Sequence, residues 1–141
     1  IGNGTNGQAK GLYRRGFTVF SVIYLSDVPE PYSGNFTVWP KSHRFFESYF
    51  QMKGHEVLAE GLPSVELNED PVMITGKAGD LILAHHQVLH GACSNASPDV
   101  RYATIARLEH KDCLKNGNAA YTNIWREWPG VQDVLKTGST K

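Results

Sequence analysis

Gly79-Asp80-Leu81-Ile82-Leu83-Ala84-His85-His86-Gln87-Val88-Leu89-His90-Gly91, followed by Arg101-Tyr102-Ala103-Thr104-Ile105-Ala106-Arg107, is the stretch whose reading decides the fold. Gly79-Asp80 marks a turn. The apolar run after it is short and bounded, which favours a strand over a helix. A polar loop then leads to a second strand that opens on an arginine. Imidazoles and a guanidinium would thus stand at neighbouring strand ends, an arrangement suited to a metal together with a dicarboxylate.

Working outward, Phe17–Leu25 is rich in β-branched and aromatic residues, apolar on both faces, and reads as a buried strand. The prolines at 29 and 31 stop it, and Asn35–Trp39 is a second short strand ended by Pro40. Ser42 is placed to cap a helix through Phe50 that Gly54 ends, and His55–Glu60 is a further helical turn. Val65–Leu67, Val72–Ile74, Asp80–His85 and Tyr102–Leu108 are the remaining strands. Residues 1–16 hold five glycines and read as a flexible loop. Residues 118–141 are a closing tail: a loop to Tyr121, a helix over Ile124–Trp128 that Asn123 caps, and a turn from Pro129 to Leu135. Many short strands with turn signals every 8–12 residues or so, and one clear helix, give a mainly β domain of jelly-roll type with a few short helices.

Bulk properties narrow the partners. At 141 residues the chain fits one domain, and fourteen basic residues cancel fourteen acidic ones. Neither nucleic acid nor an anionic membrane is favoured as a partner, and no apolar run reaches the ~18 residues of a membrane span. Cys93 and Cys113 form no framework and read as thiols of a reducing compartment, hence a cytoplasmic protein. The sequons at Asn3, Asn35 and Asn95 read as chance.

Each candidate site residue has a plain structural alternative. His86 and His90 would share a helical face at the spacing of zinc proteases, but Gln87 stands where a glutamate is needed and the segment reads as strand. In a strand they point the same way if no bulge intervenes, and His85 points oppositely; all three are equally readable as structural histidines. Arg101, Ala103, Ile105 and Arg107 share one strand face. An arginine on a core-facing surface needs an anion, either an internal carboxylate or a ligand held bidentately. His43 is a cap-region side chain or a ligand, Trp39 lines a cavity or fills the core, and Trp125 and Trp128 pack the closing helix. Tyr13, Arg14 and Arg15 are solvated loop residues or contacts for an anionic substrate.

Together, Val22–Val28 with Ser33–Arg44, Gly79–Gly91, and Asn95-Ala-Ser97 through Arg101-Tyr-Ala-Thr resemble the phytanoyl-CoA dioxygenase family of Fe(II)- and 2-oxoglutarate-dependent oxygenases. The resemblance rests on the Trp39-Pro40-Lys41-Ser42-His43 signature and on the eleven-residue step from His90 to Arg101. It implies a double-stranded β-helix, with His90 as one ligand of a 2-His-1-carboxylate iron site and Arg101 gripping the distal carboxylate of 2-oxoglutarate. It implies oxidative decarboxylation of 2-oxoglutarate coupled to hydroxylation of a small-molecule or lipid-like substrate, whose pocket would include Trp39, His86 and Tyr24. Lys41 stands where the family has glycine, and Ala92 where many members have serine. The family's His-x-Asp ligand pair precedes the strand that here begins near Phe17, and no such pair stands there. The chain is therefore read as a fragment whose other two ligands lie upstream of Ile1. The alternative is a jelly-roll binding module without metal chemistry.

Overall fold

Residues 15–138 are described by a computed structural model. Tyr13, Arg14 and the glycine-rich opening lie outside them. Two three-stranded antiparallel sheets form the domain. In one, β1 (Val19–Tyr24) runs between β4 (Leu81–His85) and β6 (Ala103–Leu108). In the other, β2 (Phe36–Val38) runs between β3 (Val72–Met73) and β5 (His90–Ala92). The helices are short: α1 (Ser42–Lys53), α2 (Cys113–Asn116) and α3 (Pro129–Gly138).

Alternation along β1 sends Phe20, Val22 and Tyr24 inward, where they form the core with Val28, Phe36 and Ala84. Phe20 of one sheet stacks on Phe36 of the other with ring centroids 5.8 Å apart. Tyr24 is fully buried, donating its hydroxyl to Ile74 O at 2.8 Å and accepting from Phe36 N–H at 3.0 Å. That pair ties the end of β1 to the start of β2. The expected strands at 17–25, 35–39, 72–74, 80–85 and 102–108 are all present with trimmed ends.

Four expectations are corrected. Val65–Leu67 is irregular, since it has no neighbouring strand to pair with. His90–Ala92, read as part of the strand that begins at Asp80, is a strand of the other sheet, because Phe36, Thr37 and Val38 pair with Ala92, Gly91 and His90. Ile124–Trp128 forms turns, and the helix starts at Pro129, whose missing N–H suits a first helical position. On β6 the inward register reaches Ile105 and Arg107, opposite Val22 and Phe20, yet both are exposed because β6 is an edge strand.

Ser42 does not cap α1. Fully buried, it donates its hydroxyl to Trp39 O at 2.7 Å and accepts from Leu89 N–H at 2.8 Å, stitching the helix start to the chain entering β5. Lys41 holds the capping position with φ 61°, a left-handed conformation that suits glycine. Relief of that strain outweighs the extra chain entropy of glycine, so Lys41→Gly is expected to stabilise the fold by about 0.5 kcal/mol. The check is a urea titration whose midpoint rises at unchanged slope; a falling midpoint would show that Lys41 carries no strain.

Candidate functional site

His90 pairs with Val38 and therefore sits on the inward face of its sheet. Its ring packs 4.6 Å from that of Phe20 and 5.4 Å from that of Phe36. Nδ1 lies 2.8 Å from Val88 O. A carbonyl only accepts, so Nδ1 carries the proton and Nε2 keeps its lone pair. A histidine oriented by its own backbone in this way is prepared to ligate a metal through Nε2.

Arg101 stands just before β6, against the turn that leads into β2. Its Nε donates to Gly34 O at 2.8 Å. Gly34 has φ +71°, and a Cβ there would meet Arg101 Cβ at 3.3 Å. Only glycine gives both the turn and the close approach. The two terminal guanidinium nitrogens hydrogen-bond none of the described residues, and no carboxylate pairs with them. They form the fork that a carboxylate accepts side by side. The guanidinium is also near enough to Tyr24 to favour its ionised form electrostatically, although burial dominates and pushes that phenol up.

Other pocket candidates fall elsewhere. Tyr24 has no free hydroxyl and no exposure, so it is a core tie rather than a pocket wall. A turn over residues 86–88 breaks the strand, so His86 and His90 do not share a face. His86 packs with His85 at 4.1 Å and Tyr121 at 6.1 Å. Trp39 is half-buried, bonds Leu89 O through its backbone, and makes no ring contact with the Phe20–Phe36–His90 group.

His85 joins a second cluster with His43, Trp125 and Trp128, at ring distances of 5.2–5.8 Å. Nε2–H donates to Ile124 O at 2.8 Å, and Nδ1 accepts from Gln87 N–H at 3.1 Å. Both nitrogens are committed in the neutral form, so a zinc site built on His85, His86 and His90 is not present. Burial, helped by the charges of His43 and Arg15, brings the His85 pKa down to about 4, although the hydrogen bond to Ile124 O and the Glu127 carboxylate pull the other way. His86, whose ring nitrogens are buried without a partner, falls to about 2 for the same leading reason.

Two features were missed in the sequence. Arg15, read as a loop residue, is 3% exposed and forms a bidentate pair with Glu127, which Thr18 and Asn116 also hydrogen-bond. Arg15 further donates to Gly117 O and Cys113 O. No local signal links partners 112 positions apart. The second is His110-Lys111-Asp112, the one His-x-Asp in the chain. It follows β6 and closes on itself, Asp112 N–H donating to His110 Nδ1 at 3.1 Å.

Among the described residues no group of three His, Cys, Asp or Glu side chains could hold a metal ion. They fit an iron site only in part, through His90.

An oriented imidazole with a free Nε2 and a carboxylate fork share one β-rich domain. In a comparison with known families, residues 8–103 match the phytanoyl-CoA dioxygenase (PhyH) profile. More than half of the chain is matched, and it belongs to that oxygenase-like family. No curated protein and no solved structure matches it. No helix among the described residues is long and apolar enough to cross a membrane.

Proposed function

We propose that this chain is part of an Fe(II)- and 2-oxoglutarate-dependent oxygenase, built on a double-stranded β-helix, that hydroxylates a small-molecule or lipid-like substrate. Arg101 carries the reading. A half-buried guanidinium anchored at Nε and otherwise unpaired among the described residues is costly unless an anion meets it. Membership of an oxygenase-like family makes 2-oxoglutarate the fitting anion. His90 is proposed as one iron ligand, offering Nε2 while Val88 O holds the ring. Dioxygen would be the oxidant, with Fe(II) supplying the means to activate it and 2-oxoglutarate two of the four electrons. Phe20 and Phe36 exclude water from one side of the imidazole. The free thiols of Cys93 and Cys113 fit a reducing compartment such as the cytoplasm.

The test is calorimetric titration of 2-oxoglutarate into this chain and its variants. Losing a bidentate charge-assisted contact weakens binding roughly 100-fold, so Arg101→Met is expected to do so. Arg101→Lys should recover little, since an ammonium cannot match the fork. Unchanged affinity in Arg101→Met would sink the assignment. For His90, succinate formation by the full-length protein in the presence of iron should vanish in His90→Ala; retained turnover would remove the metal role.

A further inference from the structure

Arg107 has no place in the site described so far, and it lies beyond the residues matched to the family. It shares the inward register of β6 with Ala103 and Ile105, opposite Phe20. Its guanidinium carbon lies 5.6 Å from the centroid of Phe17 and 5.7 Å from that of Phe20. Those rings hold the side chain, and no carboxylate pairs with it among the described residues. Phe20 also packs against His90, so Arg107 and His90 rest on one aromatic ring. Ile105, two residues along, is 54% exposed on a face whose register is inward.

The two arginines of this face cannot serve one small dianion. Six residues of strand separate them, roughly 20 Å between their Cα atoms. With Arg101 taken by 2-oxoglutarate, Arg107 remains for the other reactant. Its setting is an apolar wall of Phe17, Phe20 and Ile105 ending in a fixed cation. Stacking leaves the guanidinium edge and its donors free for an oxyanion.

We propose that Arg107 is the specificity-determining residue for the primary substrate, an organic molecule with an apolar body and an oxyanion group, carboxylate or phosphate. The inference rests on the oxygenase reading in assigning Arg101 to 2-oxoglutarate and in placing His90 at the reacting centre.

The experiment is calorimetric titration of octanoate, octyl phosphate and octanol into this chain, without iron or 2-oxoglutarate. At least one of the two anions should bind about tenfold more tightly than octanol, and the preference should shrink in added salt. The tighter of the two identifies carboxylate or phosphate. Arg107→Met should erase the preference while keeping octanol affinity, and Arg107→Lys should keep part of it. Thermal unfolding of each variant and octanol binding itself confirm an intact fold. No anion preference in the unmodified chain, or a preference that survives Arg107→Met, would overturn the proposal. Failure of the oxygenase reading shows separately, as 2-oxoglutarate affinity indifferent to Arg101→Met.

Discussion

Glu127→Gln is expected to destabilise the fold by about 3–5 kcal/mol, because it strips the charge from one side of a buried ion pair. The carboxylate is 6% exposed and receives hydrogen bonds from Arg15, Thr18 and Asn116. Burial alone would raise its pKa. The hydrogen bonds from Arg15, Thr18 and Asn116 outweigh burial and hold it at about 2. Glutamine keeps the shape and loses the charge, leaving the Arg15 guanidinium buried and uncompensated. Since Arg15 also binds the carbonyls of Cys113 and Gly117, the loss falls on the contact between the start of β1 and the residues after β6. Urea denaturation gives the measure. The double variant Arg15→Met/Glu127→Met, which removes both charges, should recover much of the loss. If Glu127→Gln costs under about 1 kcal/mol, the pair is not the fastening inferred here.

Acidification is expected to weaken the protein in two successive windows. His85 is neutral when folded, with its pKa lowered from 6.5 to about 4. The unfolded chain therefore takes up the proton first, and stability that is full above about pH 6.5 declines toward pH 4. One such shift corresponds to roughly 3 kcal/mol. His86, lowered further, steepens the same fall. Glu127 acts below that: its stabilisation is present above about pH 4.5 and disappears as pH drops toward 2. Protonation falls on His85 Nδ1 and removes the lone pair that accepts from Gln87 N–H, which places the first loss at the turn over residues 86–88. Urea midpoints from pH 7.5 to 4 check this, and His85→Gln should flatten the slope. A pH-independent midpoint across that range would show that these imidazoles are not buried neutral.

Much of the site's vocabulary could be read along the chain. The short apolar runs of 17–25 and 81–85 announced the two strands that pair as β1 and β4, because a bounded run of that length, rich in β-branched, aromatic and aliphatic residues, suits a buried strand. His90 and Arg101 were singled out by the family resemblance, through the eleven-residue step between them. What the residues could not reveal was the company each side chain keeps. His86 looked equivalent to His90 until the turn at 86–88 sent it into another cluster. Tyr24 looked like a pocket wall until both sides of its hydroxyl proved occupied.

The sequence by itself determined that this is a short-stranded β domain with an imidazole and a guanidinium eleven positions apart. Those are properties of local pattern, and local pattern is written in consecutive residues. Tertiary structure alone decided that Nε2 of His90 is the free nitrogen, that Gly34 orients Arg101, and that Arg15 is buried rather than solvated. Each depends on a partner far along the chain or on a backbone carbonyl placed by a turn, and no spacing rule encodes such a meeting.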